Sequence, residues 1–294
     1  MEKRMDFISG TLLFLSAVLA SVKNVLIKTF TGYKIKNREF FGLQASIFGS
    51  GCIVLLFVNI FDFNGISGAT VLCAFLYGTF LVCAQWLYTI ALTRGKTALC
   101  ATVYSFGFVI PTLSGTMFWD ETISACGIIG IITVAPALVI SGINPNDKTQ
   151  SSKSNSYIIP LMLAMLSSGG LGVVQKVHQS SEYSNQRSTL ILLAFAFAFL
   201  MSAILFLTLK RGEKQLNAKR VGVAATVGAI FSCCNMLNTL LAGWLDSAVF
   251  FPAINIGSIL TSLVLGAIVY KEGLTKKDTV VLCLGVLAIV LVNL

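Results

Sequence analysis

Charge is what this sequence has least of. Only 11% of its 294 residues are Asp, Glu, Lys or Arg, while 56% are hydrophobic. A water-soluble domain of this size carries roughly 25% charged residues, so the polar surface that would face water is missing. Histidine occurs once, as His178, which removes histidine metal clusters and histidine-based catalysis. The chain has no Walker P-loop, no HExxH and no GxSxG, the patterns that would carry phosphate, zinc-protease or serine-hydrolase chemistry. Cys52, Cys73, Cys83, Cys100, Cys126, Cys233, Cys234 and Cys283 all fall inside apolar runs and form no CxxC pair. They read as small buried hydrophobes, not as disulfides or metal ligands. The expectation is a protein without enzymatic activity, cofactor or metal.

What the sequence has instead is long apolar runs. About 20 such residues cross the hydrocarbon core as a helix, because a helix satisfies its own backbone groups. Ten spans can be drawn, at 7–30, 40–61, 70–93, 97–118, 123–143, 157–178, 189–209, 218–241, 247–270 and 276–294. The fold class expected is all-α and polytopic, with the lipid bilayer as solvent. The net charge of +9 sits in the short loops between runs, which is the pattern of a topology signal and not of a nucleic-acid surface. Fifteen cations (Lys34, Lys36, Arg38, Arg94, Lys96, Lys148, Lys153, Lys210, Arg211, Lys214, Lys219, Arg220, Lys271, Lys276, Lys277) fall on one side, against Lys3, Arg4, Lys176 and Arg187 on the other. The richer side is expected in the cytoplasm of a multi-pass cell (inner) membrane protein, with both termini extracytoplasmic.

The chain also repeats itself. Its last quarter, Ser247 to Leu294, is two apolar runs joined by a charged turn that holds Glu272, and Thr97 to Gly142 has the same layout around Glu121. Gly115 and Glu121 stand 151 residues before Gly266 and Glu272. ASVKNVLIK, Ala20 to Lys28, and SGGLGVVQK, Ser168 to Lys176, match in the same way 148 residues apart. Residues 1–143 and 157–294 therefore read as two five-helix repeats, joined by the polar connector 144–156. Five is odd, so the second repeat is expected to enter the membrane inverted.

The hairpins GTMFWDETISACGIIG and GAIVYKEGLTKKD, the Val-x-x-Lys ends of spans 1 and 6, and YTIALTRGKTALCATV before span 4 resemble the drug/metabolite transporter superfamily, in its ten-helix EamA-type branch. The likeness runs nearly the length of the chain, and its motifs identify a fold better than a substrate. It implies two inverted bundles around a central cavity and alternating access for small organic solutes, with no ATPase and no metal centre. Export of amino acids, related metabolites or amphipathic drugs is the leading expectation. A lipid-linked-sugar flippase component, with a lateral opening and an apolar groove, is the runner-up. A scaffold without cargo would have a closed bundle whose amides pair with one another. Monomer and homodimer both stay open.

Polar groups inside apolar runs must face a cavity or another helix. Span 1 holds Lys23 and Asn24, with Lys28 beyond them; Lys23 could hold a carboxylate or snorkel to the interface. Span 3 carries Gln85, Trp86 and Tyr88, whose aromatics could wall a substrate or simply pack. Asn235 and Asn238 in span 8 lie three apart on one helix face, suited to a substrate or to interhelical hydrogen bonds. Tyr104 and Asn255 occupy matched repeat positions, with Pro111 and Pro252 as potential kinks in the same spans. The candidate substrate site is thus Lys23, Gln85, Trp86, Tyr104, Asn235, Asn238 and Asn255. Glu121 and Glu272 lie before helix starts and read as helix-end stabilisers; His178 reads as an interfacial residue. No span contains a mid-depth Asp or Glu, so no proton-coupling carboxylate is evident.

Overall fold

A computed structural model describes residues 6–31, 37–94, 100, 103–142, 157–209, 217–270 and 276–292. Along them run ten helices and, among the described residues, no strand: α1 (Phe7–Thr31), α2 (Asn37–Phe61), α3 (Gly68–Arg94), α4 (Val109–Phe118), α5 (Ala125–Gly142), α6 (Ile158–Gln179), α7 (Arg187–Thr208), α8 (Ala218–Trp244), α9 (Ser247–Tyr270) and α10 (Lys276–Val292). Glu272, the connector 144–156 and the side chain of Lys28 lie outside the described residues. Several helix starts are written locally as side-chain caps. Before α1 the Asp6 carboxylate accepts from the Ser9 N–H at 2.7 Å, and the Ser9 hydroxyl answers the Asp6 N–H at 2.9 Å. Ser67 and Ser124 accept from Thr70 N–H and Gly127 N–H in the same way, at 3.1 and 2.9 Å.

The burial pattern is turned inside out relative to a soluble protein. On α2, Ile53, Leu56, Phe57 and Ile60 are exposed, at the spacing of one helix face. Gln44 and Asn59 on the same helix are buried. Across the molecule the buried set includes Ser16, Ser21, Gln175, Asn235 and Thr239, while Phe7, Phe61 and Leu207 stand at least 75% exposed. An apolar exterior of this extent costs nothing in hydrocarbon and is untenable in water. Six helices, α1 to α3 and α6 to α8, are long and apolar enough to cross a membrane, and the other four are apolar as well. The fold is that of a multi-pass helical membrane protein.

Helix directions follow from which residues meet. α2 and α7 run antiparallel: Arg38 Nε donates to Phe206 O at 3.1 Å, Phe48 meets Phe195 edge-on, and Asn59 Nδ2 donates to Thr189 Oγ1 at 3.3 Å. α3 lies antiparallel to α6, as α1 does to α8. α3 runs alongside α7 and α8 alongside α2, in the same sense, and in both seams a glycine meets main chain. A Cβ on Gly78 would lie 2.5 Å from the Ala194 carbonyl oxygen, and one on Gly228 would run into the Ile47 carbonyl oxygen and Ser50 Oγ. α1 also packs on α9, where Ser21 Oγ and Thr261 Oγ1 are 2.6 Å apart. α6 packs on α4, where Gly169 makes room for Ile110.

Candidate functional site

Between these helices lies a cavity of about 640 Å³, the size of a pocket for a small organic ligand. Its wall includes Lys23, Gln85, Tyr104, Asn235, Asn238 and Asn255. Trp86 is not on it: that indole turns against Phe41, with ring centroids 5.6 Å apart, and its Nε1–H has no hydrogen-bond partner. Asn24, Pro111, Gln44, Tyr77, Tyr88, Thr89, Ser168 and Gln175 complete the polar and kinked part of the lining. The cavity is not midway along α1. It borders Lys23, Asn24 and Ile27 in the last third of that helix, and Tyr77 to Leu92 on α3, so it reaches toward the end where α1 and α3 finish.

The wall has two unlike faces. On α3 and the stretch that leads into α4 it presents Gln85, Tyr88 and Tyr104, and the centroids of the two tyrosine rings lie 4.5 Å apart, with the rings at 34°. On α8 and α9 it presents Asn235, Asn238 and Asn255. Each residue of the second set stands 150 or 151 positions after one of the first (85 and 235, 88 and 238, 104 and 255). Matched positions thus carry an aromatic-rich face in one half and an amide face in the other. Lys23, on α1 beside α8, adds a cation to the amide face. Its Nζ sits 4.3 Å from the Phe231 ring centroid, a cation–π contact.

Several of these groups are already committed to protein. Tyr77 OH donates to Asn235 Oδ1 at 2.6 Å, and Gln175 Nε2 donates to Tyr77 OH at 2.9 Å and to Thr239 Oγ1 at 3.0 Å. Asn238 Oδ1 accepts from Ser16 Oγ at 2.6 Å. Gln44 Nε2 donates to Gln85 Oε1, but Gln44 Oε1, on a side chain only 4% exposed, has no partner. Gln44, Tyr77 and Gln175 escaped the sequence reading, although the rule that found Asn235, an amide inside an apolar run, applies equally to Gln44.

The end of the bundle away from this cavity is tied shut by polar contacts. Lys176 and Glu121, each with a side chain 7% exposed, form an ion pair at 2.5 Å. Lys176 Nζ also donates to Leu245 O at 3.1 Å, and Glu121 Oε2 accepts from Ser247 N–H at 2.7 Å. Glu121 is therefore a helix-end acid, as its place suggests, but at the start of α9 and not of α5, which follows it in sequence. Asp120, at φ 51°, makes the turn that sends Glu121 back, and Gly115 is the space it enters, since a Cβ there would collide with Glu121 Oε2. Lys176 is not a loop cation: it lies inside α6. His178 is buried at the same end, its Nε2 3.1 Å from Thr70 Oγ1, whose hydroxyl donates to Gln186 Oε1 at 2.7 Å. Ser188 Oγ donates to Asp62 O at 2.7 Å nearby. Among the described residues no cluster of His, Cys, Asp or Glu could hold a metal ion.

No family model matches the chain, and no curated protein does. Its fold is nevertheless known among solved structures. One, described only as the crystal structure of a protein, superposes with a TM-score of 0.75, covering 97% of this chain and 98% of the other at 14% identity. Identity that low carries the fold alone.

Proposed function

We propose that this protein is a secondary transporter that moves small organic solutes across the membrane by alternating access, in the manner of the EamA-type carriers its hairpins resemble. The observation that carries the reading is a ligand-sized cavity, walled by matched residues of both halves and tied off at one end. The unspent Gln44 amide end weighs against a scaffold, whose amides would all be paired. Two inverted five-helix halves are part of the proposal. Their support is that the contacts come in pairs related by the sequence repeat: Gly78 on α7 with Gly228 on α2 (228 is 78 plus 150), and Ser21 against Thr261 with Gly169 against Ile110 (148 and 151 apart). With the loop cations in the cytoplasm, the tied end faces outward and the cavity reaches toward the cytoplasm, the arrangement of a carrier waiting to load from inside.

Purified protein in liposomes, preloaded with candidate solutes and assayed by counterflow of a radiolabelled one, tests this. Flux should fall about tenfold or more in Asn255→Leu and in Tyr104→Leu, which remove a polar group from each face. Unchanged flux in both would remove the site; no flux of any solute would remove the transport reading.

A further inference from the structure

Within this proposed carrier cavity, we infer that the solute is an organic anion: a carboxylate held by Lys23 and the amide face, with an apolar or aromatic body against Tyr88 and Tyr104. The inference rests on the transport reading only in placing the solute here. Among the described residues, no Asp or Glu lines the cavity, and Lys23 is its one cation. A buried or half-buried ammonium normally finds an acidic partner or turns its head to water. Among the described residues Lys23 has no acidic partner: its ammonium lies over the face of Phe231, which orients it and offers no hydrogen-bond acceptor. By contrast Lys176, buried inside a helix, has a carboxylate and a carbonyl. The missing partner of Lys23 is the ligand's to supply.

A cationic solute has nothing here to neutralise it and would meet Lys23 at low dielectric, where like charges cost most. A second observation points the same way to a ligand with polar reach. Gln44, buried on the cavity wall, holds Gln85 with one end of its amide and leaves the other empty. Whichever way round the two amides are set, one polar atom of Gln44 is left unpaired just behind the wall, where a turn of the side chain would bring it to a solute. The two faces then read as an address. The Lys23, Asn238 and Asn255 side takes the charged head, and the stacked tyrosine side takes the body.

The test is a charge series on one carbon frame: 3-phenylpropionate, 3-phenylpropanamide and phenethylammonium, at millimolar concentration. Each is assayed both for thermal stabilisation of the detergent-purified protein and for counterflow in liposomes. The carboxylate should bind and move at least about tenfold better than the amide, and the ammonium least. Lys23→Met, which keeps the stem and removes the charge, should erase that order; Lys23→Arg should retain it; Gln44→Leu should weaken binding several-fold without changing the order. Amide or ammonium binding as well as carboxylate, no carboxylate binding at all, or an intact order in Lys23→Met overturns the anion site. So does a carboxylate effect that disappears in nanodiscs containing phosphatidylglycerol but not in phosphatidylcholine alone, which would assign Lys23 to a lipid headgroup. Binding in the expected order without flux would instead sink the transport reading and leave the anion site standing.

Discussion

Two lysines inside helices make opposite use of the same chemistry. Lys176 on α6 is held on all sides: a carboxylate from the α4–α5 turn, a carbonyl from the end of α8, and through Glu121 the first N–H of α9. Lys23 on α1 faces a cavity, with an aromatic ring for company. Their positions in the two repeats differ by only a few residues, since Lys28 and not Lys23 is the match of Lys176. On the anion-site proposal, a buried cation in this fold is structural where the protein supplies the counter-charge, and receptive where it does not. One lysine joins three helices and a turn; the other faces the cavity.

Removing the charge of Lys176 is the harshest way to break the contrast. Lys176→Met strands Glu121 in a buried setting and should cost about 3–5 kcal/mol of stability, read as a large drop in the thermal unfolding midpoint in detergent. Adding Glu121→Gln should return part of that loss, because the stranded charge goes too. Next in size comes Gly115→Ala. Its Cβ would lie 2.6 Å from Ser247 Cβ and collide with Glu121, so about 1–3 kcal/mol should be lost as the turn is pushed off α9. For Lys23→Met the sign reverses: an unmatched charge is replaced by an apolar stem, and the midpoint should stay level or rise, even as solute binding suffers. A fall comparable to that of Lys176→Met would show that Lys23 is structural after all. The smallest effect is expected at Asp6, a solvated charge outside the bundle. Its hydrogen bonds from Ser9 hold the carboxyl below its usual range, so its contribution is present above the unfolded carboxylate pKa and is lost as pH falls through the lower folded value. Asp6→Asn should therefore show a slight destabilisation at neutral pH that shrinks in acid.

The sequence makes the helices legible because lipid imposes a simple rule on them: a run must be long and apolar. The boundaries drawn for span 1 and for span 9, 7–30 and 247–270, lie close to Phe7–Thr31 and Ser247–Tyr270. Span 4 is the instructive departure. It is helical at 103–105 and again over Val109–Phe118, and a tighter turn over Phe106–Phe108 interrupts it. Pro111 has no N–H to return to the Gly107 carbonyl four residues back, and Gly107 is pressed against Met165 O. The candidate site is legible in part, because an amide in an apolar run is conspicuous at any register, and six of its seven residues reach one wall. Trp86 does not, since its neighbour relations across α2 decide which way the ring turns. What the sequence hides is partnership. Glu121 and Ser247 lie 126 residues apart, and no local pattern in either tells that a turn in the first half will cap a helix in the second.

Where Gly78 meets the Ala194 carbonyl and Gly228 the Ile47 carbonyl, main chain approaches main chain with no side chain on the glycine to yield. Backbone riding on backbone cannot slide by a rotamer change. α2 with α8, and α3 with α7, are accordingly close seams of main chain, whereas α1 meets α9 through hydroxyls, which can change partner by a rotation about one bond.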